Sequence, residues 1–283
     1  MTPGPVLPAP PLLADCVRPA MVNAVPAVDY HLPASLHPML LAVPAGRLSV
    51  RRAAGFEPLP RLSLCGATRS AQLVRSAQGT RIVTVSIQSG QLPRLFDVDG
   101  WTIAGQCVSL DSLLRSHDRP LLRACESRLD AAQTPQAEVA AVWQLLASLH
   151  RQRSQRASNL CMPMALMHAP ARQIATQLGI GARQFERRFL ASHGQSLRSF
   201  RHQLRCSQAL ISLIDHGGVA TSWAEHALDA GYGDQSHLHR DVMRFTGVTP
   251  GRLASGIANG DPRFWPYLAA RQRVQALFGP TGY

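Results

Sequence analysis

The chain has 283 residues and a formal net charge of +12, and all 29 of its basic residues are arginine. This length is sufficient for two domains that each bury a core. There is no uncharged apolar run of about 18 residues and no basic N-terminal leader, so we expect a cytoplasmic protein without a membrane span. Residues 151–283 hold 16 arginines against 7 acidic residues, and residues 1–150 hold 13 against 10. A basic C-terminal half is typical of a protein that faces a polyanion.

The N-terminal part of the chain predicts a β-rich fold. Residues 1–26 are rich in proline and predict a loose or extended arm. Short segments with β-branched residues and partial alternation follow at 61–67, 72–77 and 81–88, which predicts a small barrel or sandwich. From residue 112 to about 156 apolar residues recur at helical spacing, and the polar, basic segment 151–159 predicts a linker.

The six cysteines are scattered along the chain without any C-x-x-C pair. We therefore expect reduced, mostly buried thiols, with neither a structural zinc site nor a disulfide framework. The positions concerned are Cys16, Cys65, Cys107, Cys125, Cys161 and Cys206.

Residues 169–189 predict a first helix-turn-helix unit. Ile174 and Leu178 lie one turn apart on an inward face, and Gly179 suits a left-handed turn after the helix. The next helix is expected to start near Ala182, with two phenylalanines on its inner face and arginines on its outer face. Such a pair of helices holds the second one in a DNA major groove.

Residues 222–245 predict a second unit with stronger end signals. Ser222 and Glu225 form a capping box, Gly231 ends the first helix, and Asp234 can cap the second. Its inner face is expected to carry Leu238, Val242 and Phe245. Between the units, residues 198–214 predict a helix of about 25 Å that fixes the two reading helices relative to each other.

Two segments of the chain resemble the C-terminal domain of AraC/XylS-type bacterial transcription regulators. They are RQIATQLGIGARQFERRF and ALDAGYGDQSHLHRDVMRFTGVTPGRL. The resemblance covers about 95 residues, roughly 162–255. It implies a multidomain protein with an α+β, β-rich, sensor-like N-terminal domain and an all-α C-terminal domain of two helix-turn-helix units joined by a linker helix. The expected segments are an arm over 1–26, a sensor or dimerisation domain over 27–155, a DNA-binding domain over 156–256 and a tail over 257–283.

The resemblance also implies the partners: double-stranded DNA, RNA polymerase, a small-molecule effector and a second copy of the chain. The base-reading candidates that it implies are Arg183, Gln184, Arg187, Gln235, Ser236, His239 and Arg240. The phosphate-binding candidates are Arg188, Ser196, Arg198, His237 and Thr249. Three positions depart from the family pattern: Gly181 replaces a capping serine, His226 a buried aliphatic residue, and Val242 a phenylalanine.

Other chemistry has little support in the sequence. We find no nucleophile elbow, P-loop or dinucleotide fingerprint, so we expect no enzyme, no catalytic residues and no cofactor. We also expect no metal, since His31 and His37 lack further ligands and His237 and His239 point apart on one helix. Two alternatives stay open. One is a small-molecule-binding protein or enzyme on a degenerate helix-turn-helix scaffold, and the other is a nucleoid-type protein without sequence preference.

Overall fold

The structure is a computed structural model that describes residues 4–88, 90–153, 160, 162, 164–216 and 222–270. Strands dominate the first 110 residues and helices the rest. The strands are β1 (Val6–Leu7), β2 (Val17–Ala24), β3 (Asp29–Leu32), β4 (Met39–Ala45), β5 (Leu48–Arg52), β6 (Gly55–Pro58), β7 (Leu62–Cys65), β8 (Gln72–Ser76), β9 (Arg81–Ile87) and β10 (Cys107–Ser109). The helices are α1 (Leu92–Leu95), α2 (Leu110–Leu113), α3 (Arg119–Ala131), α4 (Pro135–Arg153), α5 (Ala171–Gln177), α6 (Ala182–His193), α7 (Leu197–Asp215), α8 (Trp223–Asp229), α9 (Gln235–Thr246), α10 (Pro250–Ala258) and α11 (Trp265–Ala270).

The strands form two antiparallel sheets, which confirms the predicted β-rich fold. One sheet has the order β1-β2-β9-β4-β7-β10, and the other has the order β3-β8-β5-β6. The three segments predicted from alternation are β7, β8 and β9. In β9, the residues Val83, Val85 and Ile87 point into the core while the positions between them are partly exposed.

The prediction of a loose arm over residues 1–26 is wrong for the described residues. β2 lies inside the six-stranded sheet between β1 and β9, and Val17, Ala20 and Val22 are buried there. The pairing of β2 with β9 shifts register between Val17 and Ala20. Pro19 lies within this irregular stretch and has no N–H to donate to a neighbouring strand. The register shift allows β2 to contain a proline, a residue that usually argues against a central strand.

The predicted helical segment after the sheets is confirmed as α3 and α4. Both pack on the six-stranded sheet through a shared core that includes Leu122, Leu129 and Leu146. Glu138 of α4 is buried, and its carboxylate accepts a hydrogen bond of 2.6 Å from Arg81 of β9. The helix ends at Arg153, and the rest of the predicted linker, 154–159, lies outside the described residues.

The expectation of reduced cysteines fails for one pair. Cys65 of β7 and Cys107 of β10 are direct partners in the antiparallel ladder, and a disulfide joins them. Sequence spacing gives no sign of this because the two residues are 42 positions apart. Cys16, Cys125 and Cys206 are buried thiols outside the disulfide, as expected, and Cys161 lies outside the described residues.

The described part of the C-terminal tail, residues 257–270, belongs to the folded structure, and residues 271–283 lie outside the described residues. The predicted boundary at residue 256 falls within α10, and α11 follows after a short turn. Trp265 of α11 lies edge-on to Tyr30 of β3, with ring centroids 5.3 Å apart, in a core that the two sheets share. Among the described helices, none is long and apolar enough to cross a membrane.

Candidate nucleic-acid interface

The first helix-turn-helix unit consists of α5 and α6. Ile174 of α5 and both Phe185 and Phe189 of α6 are fully buried in a core that α7 completes. Gly179 in the turn has a φ of 64°, a conformation that glycine adopts without the steric cost of a side chain. Gly181 caps α6 without a side-chain hydrogen bond, as expected from the missing serine.

The second unit consists of α8 and α9, and its predicted caps are present. The Ser222 hydroxyl accepts a hydrogen bond from the Glu225 amide at 3.4 Å, and the Asp234 carboxylate accepts one from the His237 amide at 2.8 Å. Leu238, Val242 and Phe245 are buried, as the sequence predicted.

The two departures from the family pattern are accommodated in the second unit. His226 is half-buried, and its Nε2 lies 3.0 Å from the carbonyl oxygen of Ala209 in α7. Val242 is 2% exposed within a core that includes Phe245 and Leu253. Neither residue therefore leaves the unit loosely packed.

The two units repeat each other at an offset of 53 residues. Helix α6 spans positions 182 to 193 and α9 spans 235 to 246, so both ends shift by 53. Each helix ends at a left-handed glycine, Gly194 or Gly247. Each glycine is followed by a residue whose hydroxyl caps the next helix, Ser196 for α7 and Thr249 for α10. The repeat that the sequence suggested is thus also a repeat of local structure: a helix, a left-handed glycine and the cap of the next helix.

Most base-reading candidates lie on exposed faces of α6 and α9. Arg183 and Arg187 of α6 are exposed, as are Gln235, Ser236 and Arg240 of α9, whereas Gln184 and His239 are half-buried. Arg240 donates from Nε to the carbonyl oxygen of Ser236 at 3.3 Å, which leaves the outer nitrogens of its guanidinium without a hydrogen bond to the described protein. The distance from Gln235 Nε2 to His239 Nε2 is 3.4 Å.

Two exposed apolar side chains lie on the same faces, where helical periodicity places them, but they are not among the base-reading candidates. Leu190 of α6 and Met243 of α9 are each 45% exposed, and they occupy equivalent positions in the repeat. Each lies three residues after an exposed arginine, Arg187 or Arg240. The signal for a shared role is that an apolar residue occupies this outer-face position in both copies.

The phosphate candidates divide into three groups. Arg188 and Arg198 are exposed. Ser196 and Thr249 are exposed helix caps, and helix N-termini bind phosphate through free amides. The His237 ring instead lies beside the rings of His202 and Tyr232, at centroid distances of 5.8 and 5.5 Å.

Helix α7 is the predicted spacer. Arg201 donates to the carbonyl oxygens of Met167 and Ala169, so this arginine holds the segment before α5 rather than facing solvent. Arg198 and Arg205 remain exposed along the same helix. The inner face of α7 contributes to the cores of both units, with Phe200 in one and Leu210 in the other.

The β-rich part contacts the C-terminal ends of both recognition helices. The Gly100 amide donates to the Ala191 carbonyl of α6 at 2.7 Å, and the Ala71 amide donates to the Arg244 carbonyl of α9 at 3.0 Å. A Cβ on Gly100 would lie 2.6 Å from the Ser192 carbonyl oxygen, so only glycine allows this approach. The outer faces toward the N-terminal ends of α6 and α9 remain exposed beside this contact.

His193 at the end of α6 lies within this contact region. It is 2% exposed, stacked on Phe189 at a centroid distance of 3.9 Å and edge-on to Phe200. Burial, together with repulsion from His37, lowers the pKa of His193 to about 3. Burial likewise lowers the pKa of His37 to about 4, with a smaller contribution from Arg18. Both rings are therefore neutral at physiological pH.

Residues 174–255 match a protein-family model described as a helix-turn-helix domain. None of the curated proteins matches the chain in sequence. Among solved structures, ToxT from Vibrio cholerae bound to (E)-4-(8-methylnaphthalen-1-yl)but-3-enoic acid is 10% identical, with 84% of this chain and 99% of that chain covered and a TM-score of 0.45. Another ToxT crystal structure is 11% identical, with 85% and 98% covered and a TM-score of 0.43.

The matched region contains the second unit, the spacer helix α7, all of the first unit except the start of α5, and most of α10. It also contains the motif residues on which the sequence resemblance rests, from Gly231 through Arg240 to Pro250. Residues 174–255 are therefore a helix-turn-helix domain of the AraC type.

Proposed function

We propose that the protein is a sequence-specific transcription regulator that places α6 and α9 in successive major grooves on one side of DNA. The observation that carries this proposal is the pair of equivalent, exposed outer faces, each with an arginine at the same position of the repeat. Arginine forms bidentate hydrogen bonds to guanine, and glutamine to adenine. Successive major grooves on one side of B-DNA are about 34 Å apart, which a 19-residue spacer helix suits.

The degenerate-scaffold alternative has lost its main support. It depended on His226 and Val242 as signs of poor packing in the second unit. The first is hydrogen-bonded to α7, and the second is buried. A nucleoid-type protein without sequence preference stays a competitor, because exposed arginines also bind phosphates of any sequence.

A selection of bound fragments from a genomic DNA library, at near-physiological salt, tests the proposal. We expect the full chain to enrich a small set of fragments that share a motif spanning two helical turns. A gel shift with the enriched fragment and unrelated competitor DNA then measures the specificity ratio. Equal retention of all fragments would favour the nucleoid-type alternative.

The Arg198→Ala variant is expected to weaken cognate and random DNA about equally. Arg198 is exposed in the first turn of α7, beside the cap that Ser196 forms, where a phosphate contact carries no base information. The slope of log affinity against log salt concentration should fall by about one. Fluorescence anisotropy over a salt series measures it, and a loss confined to the cognate site would assign Arg198 to base reading instead.

Leu190 and Met243 are expected to contact thymine methyl groups. An exposed apolar side chain beside a base-reading arginine suits the C5-methyl that thymine presents in the major groove. Replacing contacted thymines by deoxyuridine should weaken DNA binding by the wild-type chain by about 1 kcal/mol. The replacement in the α6 half-site should not weaken binding by Leu190→Ala, and the replacement in the α9 half-site should not weaken binding by Met243→Ala. An unchanged response of these variants to the replacement would contradict the assignment.

We also propose that a signal acts through the β-rich part, which contacts both recognition helices. A cavity of about 110 Å³ lies between the six-stranded sheet and α11, lined largely by apolar side chains such as Met39, Ile82 and Trp265. Ligand sites usually measure about 300–1,000 Å³, so a typical effector would have to displace α11. RNA polymerase and a second copy of the chain remain partners that the resemblance predicts.

A further inference from the structure

The spacer helix α7 and helix α9 of the second unit bring together three side chains that can bind a metal ion. His202 lies on the spacer helix α7, and His237 and Asp241 lie one turn apart on the recognition helix α9. Residues four positions apart share a face of a helix, so both α9 side chains point toward α7. One donor atom of each residue lies within 4.8 Å of the donor atoms of the other two.

The distances are close to those of a coordination sphere. His202 Nε2 lies 2.6 Å from Asp241 Oδ2, and the rings of His202 and His237 are 5.8 Å apart between centroids. Two ligands of a tetrahedral Zn²⁺, with bonds of about 2.0–2.1 Å, are separated by roughly 3.3 Å. An ion between these groups therefore requires His202 and Asp241 to part by less than an ångström and His237 to rotate inward.

The carboxylate of Asp241 needs a positively charged partner. Asp241 is 4% exposed, and its Oδ2 faces the imidazole of His202 at 2.6 Å. A buried carboxylate is costly unless a cation or hydrogen-bond donors compensate it. His202 offers the carboxylate one hydrogen-bond donor, whereas a divalent ion would bring a full countercharge with both imidazoles as ligands.

The surroundings also suit a metal site. The side chain of His202 is 32% exposed, which leaves an entry path from solvent. The buried Tyr232 hydroxyl lies beside Asp241 and Cys206, and Cys206 lies one turn after His202 on α7. Polar groups behind a ligand orient it and tune its affinity.

We infer that His202, His237 and Asp241 form a site for a divalent transition metal, of which Zn²⁺ is the test ion. Two imidazoles, one carboxylate and an open fourth position for water match its usual ligands. A bound ion would tie the recognition helix α9 to the spacer helix α7 and stabilise the second unit. The sequence signal was the His-x-x-x-Asp spacing in α9, but its third ligand is 35 residues away on another helix.

The test uses the full chain, with calorimetry for Zn²⁺ and visible absorption for Co²⁺ as a spectroscopic substitute. We expect one high-affinity equivalent, Co²⁺ bands typical of four-coordination, and a rise in the thermal unfolding midpoint with added Zn²⁺. The variants His202→Gln, His237→Gln and Asp241→Asn should each weaken binding at least about tenfold. The matched control is His216→Gln, which removes an exposed histidine at the C-terminal end of α7 and should leave Zn²⁺ binding unchanged.

Circular dichroism of each variant separates loss of binding from loss of fold. If Asp241→Asn fails to fold, the two histidine variants decide the question, because both side chains are partly exposed. Absence of Zn²⁺ binding by the wild-type chain would overturn the inference and leave an ion pair of His202 with Asp241. Binding that the three ligand variants retain would also overturn it.

Discussion

Acidification is expected to destabilise the protein strongly between pH 6.5 and about 3, and His193→Phe should remove a large part of that sensitivity. The pKa of His193 falls from an ordinary 6.5 to about 3 on folding. Below pH 6.5 the unfolded chain takes up a proton that the folded chain excludes, so the free energy of unfolding decreases as the pH falls. At about 1.4 kcal/mol per pKa unit, this amounts to roughly 3 kcal/mol by pH 4.

The variant isolates the contribution of His193 from that of its neighbour. His37 has a pKa lowered to about 4, acts in the same direction, and stays in the variant. A phenylalanine keeps the stack on Phe189 and removes a buried nitrogen, Nδ1, that has no hydrogen-bond partner. Denaturant unfolding at pH 7 and pH 4 measures the difference. The control is His168→Gln at an exposed histidine, and the same acid loss in His193→Phe as in the wild type would contradict the argument.

This contact region also connects stability to function. His193 ends the recognition helix α6, two residues after the carbonyl that accepts a hydrogen bond from Gly100. Protonation of His193 therefore destabilises the region in which the β-rich part contacts α6. The corresponding position in the second unit, Thr246, is an uncharged buried residue whose hydroxyl is hydrogen-bonded to Val242 and Val248. We expect the first unit to be the more acid-sensitive of the two.

The double variant Arg187→Ala, Arg240→Ala is expected to lose about 2–6 kcal/mol of cognate DNA binding, since one base-reading arginine contributes about 1–3 kcal/mol. The two side chains lie on different helices at equivalent repeat positions. Their effects should therefore add. Each single variant should relax specificity at its own base pair, in opposite halves of the site. Affinity measurements on a set of single base-pair substitutions distinguish the two positions.

Arg123→Ala is the matched control, because it removes the same charge from an exposed position on α3 in the β-rich part. It should leave cognate affinity nearly unchanged. A loss that is equal on cognate and random DNA for Arg187→Ala and Arg240→Ala would show that these arginines bind phosphates. Identical specificity changes for both single variants would contradict a reading in two separate grooves.

The helical domain could be predicted from sequence because its signals are local. Glycine turns, caps such as Ser222 and Asp234, and the inner residues Phe185, Phe189 and Leu238 all act within a few positions of one another. The strand β2 could not, because Pro19 obscures its pattern and its partners in β9 lie 57 to 70 residues away. The disulfide between Cys65 and Cys107 depends on the same kind of long-range pairing.

The candidate sites divide in a similar way. The exposed arginines of α6 and α9 follow from helical periodicity, since one face of each helix is apolar. The contact of Gly100 with α6 and the cluster of His202, His237 and Asp241 arise only when separate elements meet. In this cluster the ring of His237 lies beside His202, whereas the sequence had predicted His237 as a phosphate-binding residue.

Methylation interference at guanine N7 tests the central claim most directly, because this atom lies in the major groove. The measurement uses the full chain and a fragment recovered by the genomic selection. We predict two clusters of interfering guanines on one side of the duplex, about 10–11 base pairs apart. A single cluster, or interference spread evenly along the fragment, would contradict the simultaneous placement of α6 and α9 in successive grooves.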